Sequence, residues 1–149
     1  MKLGDTLIEE VSREDYPVLL QVWEASVIAT HHFLKEEDID YFKPLILSTY
    51  FDAVTLRCIR KEGKIVAFLG VADQNLEMLF IHPDFRGMHL GKSLVDYAVK
   101  EMDVIKVDVN EQNDQAVGFY KKYEFEVYDR SEKDGTGKPY PLLHMQLNG

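Results

Sequence analysis

The chain has 149 residues, 46% of them hydrophobic and 29% charged, a composition that suits one folded domain spanning residues 1–149 and excludes disorder. A formal net charge of -9 disfavours nucleic acid as a partner, since binding a duplex depends on neutralising phosphates with Lys and Arg. One cysteine, Cys58, excludes an internal disulfide and a cysteine-rich metal site and points to a reducing compartment.

MKLGDTLIEE holds no apolar run resembling a signal peptide, and no stretch is long and apolar enough to span a bilayer, so a cytoplasmic protein with no membrane partner is expected. TLIEEV (6–11) reads as a first strand. Ser12 follows as a helix N-cap, with Asp15 in the first turn as a variant capping box. Leu19, Leu20, Trp23, Val27, Thr30, His31 and Leu34 share a helical face and predict a core-facing amphipathic helix. EEDIDYFKPLILSTYF continues helically, with Pro44 starting or kinking a second segment. VTLRCIR and IVAFLGVA are strands joined at Glu62-Gly63, and LEMLFI is a third after an Asp73-Gln74-Asn75 turn. GKSLVDYAVKEM is a helix, IKVDVN a strand, DQAVGFYKKY a helix, and EFEVYDR and LLHMQL close the chain as strands. The order β-α-α-β-β-β-α-β-α-β-β predicts an α/β (α+β) domain: a mixed, mostly antiparallel sheet flanked by helices.

Chemistry concentrates in FIHPDFRGMHLGKSLVDYAV, where an apolar strand enters a helix through a bare, basic corner. Such a loop exposes backbone N–H groups at the positive end of a helix dipole, and Arg86 and Lys92 bracket it with charge, which favours a phosphate. Glycines by themselves favour a plain turn, and it is the preceding strand, the following helix and the two flanking cations that point to a ligand. GMHLGKS approaches a nucleotide-binding P-loop, but that pattern places a glycine at the position held here by Arg86; Gly87 comes one residue late. The loop is too tight for that role.

EMLFIHPDFRGMHLG followed by VNEQNDQAVGFYKK resembles the GNAT superfamily of N-acyltransferases, and VWEASVIATHHFL with GKPYPLLHM extends the resemblance, closest to YjaB-type bacterial members, over the whole chain. The superfamily pyrophosphate loop reads Arg/Gln-x-x-Gly-x-Gly/Ala. Arg86 and Gly91 match its ends, while His89 stands at the inner glycine, a substitution the backbone tolerates because His enters the left-handed region more readily than most residues.

The resemblance implies acetyl-CoA as cosubstrate; His82, His89 and His144 are too scattered in sequence for a metal site, so no metal is expected. The pyrophosphate of acetyl-CoA would lie on Arg86, Gly87, Met88, His89, Leu90, Gly91 and Lys92, and its pantetheine arm along Leu79, Phe80 and Ile81, in a sheet splayed open before IKVDVN. Asn113 matches a residue that contacts coenzyme A, and it is also a good N-cap for the helix that follows.

Amide formation from a thioester requires a neutral amine, a stabilised oxyanion and a proton for the leaving thiolate. An alkyl amine has a pKa near ~10.4, so a base or a desolvating site must remove its proton. The Leu79 or Phe80 amide can polarise the carbonyl. By resemblance Tyr120 is the acid. Periodicity alone places Ala116, Val117, Phe119 and Tyr120 on an apolar helix face.

For the base, Asp108 and Glu77 match positions where relatives carry an acid; a solvent-facing role fits either equally, and a water chain would serve instead. His31, in ATHHFL, is expected to turn inward and line the acceptor side, with His32 nearer solvent; a packed core histidine is the alternative. The expected partner is a small-molecule or peptide amine, and monomer and homodimer are both compatible with the sequence. A non-catalytic acyl-CoA-binding module on the same fold is the second reading.

Overall fold

The computed structural model describes residues 7–147. Thr6, which the sequence puts at the start of the first strand, falls outside the described residues, as do residues 1–5. Seven strands form one sheet: β1 (Ile8–Glu10), β2 (Thr55–Lys61), β3 (Lys64–Ala72), β4 (Asn75–Ile81), β5 (Lys106–Asn110), β6 (Phe125–Ser131) and β7 (Leu142–Leu147). Four helices accompany it: α1 (Tyr16–Thr30), α2 (Glu36–Leu45), α3 (Leu90–Glu101) and α4 (Asp114–Lys122). The spatial order is β1-β2-β3-β4-β5-β7-β6, antiparallel everywhere except between β4 and β5. Among the described residues, no helix is long and apolar enough to cross a membrane.

Strand β3 runs through the middle with Ile65 to Val71 buried, because helices cover both faces and leave no solvated side to alternate towards. On one face Leu69, Leu76, Val107 and Met145 pack with Leu94, Val95 and Tyr120 from α3 and α4. On the other Leu56, Cys58 and Phe68 meet Leu19, Trp23 and Val27 of α1. Burying each large side chain contributes about 1.5–3 kcal/mol, so this double core is what holds the sheet between its helices. Cys58 is fully buried, and burial raises its pKa, as suits a packing residue.

The local signals resolve in physical terms. Glu62 and Gly63 both take positive φ (53° and 80°), the mirror-image turn that matches strand twist; Asp73 and Gln74 do the same at 51° and 64°. The Asp15 carboxylate accepts from the Ser12 amide at 3.0 Å, the capping contact the sequence suggests. Pro44 neither starts nor ends a helix. It lies inside α2, and a π-helical turn over Ile46–Tyr50 follows it. A residue without an N–H breaks the regular ladder, and Ser48 Oγ donates to the Pro44 carbonyl at 2.7 Å where the pattern loosens.

Helix α1 is shorter than the apolar pattern suggests. It ends at Thr30, and His31 leaves with φ -105° and ψ 61°, so His31 and Leu34 belong to the connection to α2, not to a helical face.

Two departures from regularity in β4 open the sheet. Met78 pairs with Gly70 and Leu76 with Val71, leaving Glu77 as an extra, bulged residue. On its other edge β4 pairs with β5 only at Asn75↔Lys106 and Leu76↔Val107, so Leu79 to Ile81 run on beside a gap.

Candidate functional site

The loop after β4 is shaped by backbone conformation. The His82 Nδ1 accepts from the Asp84 amide at 3.1 Å and starts a short turn over Pro83–Phe85. Gly87 then takes φ 80°, and His89, immediately before α3, takes φ 61° and ψ 21°. His89 therefore adopts the left-handed geometry that the loop requires at its inner position. The amides of Leu90, Gly91 and Lys92 open α3 with no partner in the preceding turn, at the positive end of the helix dipole.

A cleft of 470 Å³ lies against this loop, with Arg86, Gly87, His89 and Lys92 around it and Ile81 and Phe119 inside. Lys122 adds a third cationic side chain, so a protein of net charge -9 presents a basic mouth here. Arg86 donates to Gln115 of α4, and Lys92 bonds Asp96 at 3.0 Å, which hold both cations beside the loop. A Cβ on Gly91 would lie 3.2 Å from Ile81 Cδ1 and 3.8 Å from Phe119 Cζ, so glycine lets the helix approach the strand. Met88 is half exposed and lines neither this cleft nor the next cavity.

A second cavity of 220 Å³ shares Ile81, Arg86, Gly91 and Phe119 with the cleft and so adjoins it. Leu79 and Phe80 of β4, Asn113 and Tyr120 of the α4 region, and Thr30 and His31 at the end of α1 line it. Four stretches remote in sequence thus converge on these adjoining cavities, basic at one end and aromatic and polar at the other. Asn113 Oδ1 accepts from the Ala116 amide at 3.2 Å, so the residue caps α4 and lines the cavity at once.

Tyr120 is buried, and burial pushes its phenol pKa above the ordinary value. Its ring packs edge-on against Phe119 and Phe125, and its hydroxyl makes no hydrogen bond to any described residue. The His31 pKa is lowered to about 4, chiefly by burial and further by the neighbouring His32, so the ring is neutral across the physiological range. His32 is exposed, the arrangement expected, although it arises from the helix ending and not from helical register.

Glu77 and Asp108 line neither cavity. They meet at the start of the splay, where Asn75 Nδ2 donates to Glu77 Oε2 at 2.7 Å and to Asp108 Oδ2 at 3.1 Å. From Asp108 the contacts continue to His144 Nδ1 at 2.7 Å, and from His144 Nε2 to Ser131 Oγ at 2.6 Å. The sequence places Asn75 only in a turn, and it assigns none of Asn75, His144 and Ser131 a role at the site. The β5–β7 register sets Asp108 against His144, and only alternation within each strand was available to signal it. On the α1–α2 side, the Tyr140 hydroxyl and Lys138 Nζ both bind the Asp38 carboxylate, Lys138 at 3.1 Å, tying α2 to the β6–β7 connection. The Tyr140 hydrogen bond, foremost, lowers the Asp38 pKa.

An acetyltransferase (GNAT) domain family matches residues 34–148. Peptidyl-lysine N-acetyltransferase YjaB of Escherichia coli is 39% identical over 142 residues, covering 95% of this chain and 97% of that protein. The solution structure of apo-form YjaB from Escherichia coli superposes with a TM-score of 0.87 at 40% identity, over 96% of this chain and 97% of that one. PaiA N-acetyltransferase of Thermoplasma acidophilum, in complex with coenzyme A, has a TM-score of 0.72 at 20% identity, over 95% and 99% of the two chains. The splayed sheet, the left-handed loop and these likenesses agree: the chain belongs to the GNAT acetyltransferases.

Proposed function

We propose that the protein transfers an acetyl group from acetyl-CoA to the ε-amine of a lysine in a peptide or protein, by direct attack of the amine with both substrates bound. The observation that carries this reading is that the basic cleft at the loop adjoins the cavity of His31 and Tyr120, the two sharing Ile81, Arg86, Gly91 and Phe119. Lysine as acceptor is supported by the peptidyl-lysine activity given to YjaB, the relative of 39% identity. A single, buried cysteine supports a cytoplasmic location.

Acetyl-CoA supplies a thioester, an activated acyl group with a stable thiolate as leaving group. The residues suit it: free first-turn amides and three cations suit a pyrophosphate, and the unpaired edge of Leu79 to Ile81 suits an amide arm. The Leu79 or Phe80 amide polarises the carbonyl. Tyr120, held protonated by burial, donates to the departing sulfur. His31 accepts a hydrogen bond from the amine and, with its depressed pKa, does not keep the proton. The Glu77–Asn75–Asp108 cluster takes that proton through water.

The test is release of free coenzyme A thiol on mixing the protein with acetyl-CoA and a lysine peptide, with the acetylated residue located by mass spectrometry. A non-catalytic acyl-CoA-binding module would be stabilised by acetyl-CoA and release no thiol beyond the protein-free rate. His89, standing at the inner glycine of the loop pattern, takes φ 61°, and that left-handed conformation supports cofactor binding.

A further inference from the structure

The end of α1 carries a hydrogen-bond chain that fixes more than a helix terminus. Thr30 Oγ1 lies 2.8 Å from the Ser26 carbonyl oxygen and 2.7 Å from His31 Nδ1. A carbonyl oxygen offers only lone pairs, so two oxygens at 2.8 Å attract each other only with the Thr30 proton between them. That uses the single hydroxyl proton. The remaining Thr30 lone pair then faces Nδ1, and the 2.7 Å contact is attractive only if Nδ1 carries the hydrogen. In a neutral imidazole the other nitrogen, Nε2, must hold a lone pair. No described residue occupies Nε2, and the ring, packed against Phe33 at a centroid distance of 5.2 Å, lines the 220 Å³ cavity.

We propose that Thr30 is a positioning residue that fixes His31 as its Nδ1–H tautomer, presenting Nε2 to the cavity as the acceptor for an N–H of the attacking amine. This rests on the reading that acyl carbon and amine meet in that cavity. The tautomer decides between two opposite outcomes. A lone pair on Nε2 binds an amine N–H and leaves the nitrogen lone pair directed at the carbonyl carbon. A hydrogen on Nε2 would instead bind the amine lone pair and remove the nucleophile from reaction. Burial keeps the ring in the neutral form in which this choice exists.

The experiment is long-range proton–nitrogen NMR of the His31 imidazole in the full-length, 15N-labelled protein, with and without acetyl-CoA, for the wild type, Thr30→Val and Thr30→Ser. The expected result is the Nδ1–H form in the wild type and a redistribution towards Nε2–H in Thr30→Val. The same substitution should lower kcat/KM for a lysine peptide by about tenfold, the worth of one well-placed hydrogen bond, at unchanged acetyl-CoA affinity. Thr30→Ser, which keeps the hydroxyl, should restore both readouts. An Nε2–H tautomer in the wild type, or a Thr30→Val protein with unchanged tautomer and turnover, would overturn the proposal. If saturating acetyl-CoA moves neither the His31 nor the Tyr120 resonances, the reading of the cavity itself fails, whatever the tautomer.

Discussion

Tyr120, on α4, and His31, just beyond the end of α1, line the same 220 Å³ cavity although they come from helices packed on opposite faces of the sheet. β4 and β5 part after Leu76 and Val107, and the cavity that both side chains line includes Leu79 to Ile81 of the strand edge left unpaired there. Neither side chain is charged there: burial raises the phenol pKa and lowers that of the imidazole. A protonated donor and an unprotonated acceptor thus stand on one cavity at neutral pH.

Tyr120→Phe preserves the ring contacts with Phe119 and Phe125 and removes only the hydroxyl, which has no hydrogen-bond partner among the described residues. Turnover should fall by roughly 10²–10⁴-fold, the usual worth of a general acid, at unchanged melting temperature. Steady-state kinetics beside a thermal melt checks both halves, and undiminished turnover would reduce Tyr120 to a packing residue.

His31 makes stability pH-dependent in a defined window. Its folded pKa of about 4 lies below the ordinary 6.5, so between these values the unfolded chain binds the proton and the folded one does not. Stability should therefore be fully present above pH 6.5 and fall as the pH drops towards 4. Asp15, Asp38 and Asp96, whose pKa values are lowered from 3.8, lose their contributions at lower pH still. Urea unfolding at a series of pH values should show His31→Gln flattening the loss between 6.5 and 4, with His32→Gln retaining it.

Most of the architecture was legible in the residues because its signals are local. Strands showed as apolar runs between turn pairs, and α3 and α4 as amphipathic runs opened by a bare loop and by Asn113. The end of α1 was not, because Leu34 continues the apolar spacing while packing from the connection beyond the helix. The π turn after Pro44 and the bulge at Glu77 were hidden too, since each depends on how the backbone makes good a missing or displaced hydrogen bond. Of the site, the loop and Tyr120 lay in contiguous motifs. The run Glu77–Asn75–Asp108–His144–Ser131 crosses four strands, and only the register of the sheet joins it.

The phosphate loop separates two effects of backbone shape. At Gly87, φ is 80° and no atom lies within 4 Å of a built Cβ, so Gly87→Ala strains the backbone without a clash. It should cost about 1 kcal/mol of stability and weaken acetyl-CoA binding. His89→Gly relieves the same kind of conformation at φ 61° and should retain acetyl-CoA binding. Thermal-shift titration with acetyl-CoA reads both, since a ligand of the folded state raises the melting temperature by mass action. Equal responses from the two variants would contradict the assigned loop geometry.

The central claim, that these adjoining cavities join acetyl-CoA to a lysine amine, is tested most directly by incubating the full-length protein with acetyl-CoA and a peptide holding one internal lysine behind a blocked N-terminus. Free coenzyme A and acetyl-lysine are then quantified over time for the wild type and Tyr120→Phe. The account predicts equimolar thiol and ε-acetyl-lysine from the wild type, with the rate of both reduced by the substitution. Acetyl-CoA binding without thiol release above the protein-free rate, across a panel of lysine peptides, would contradict it.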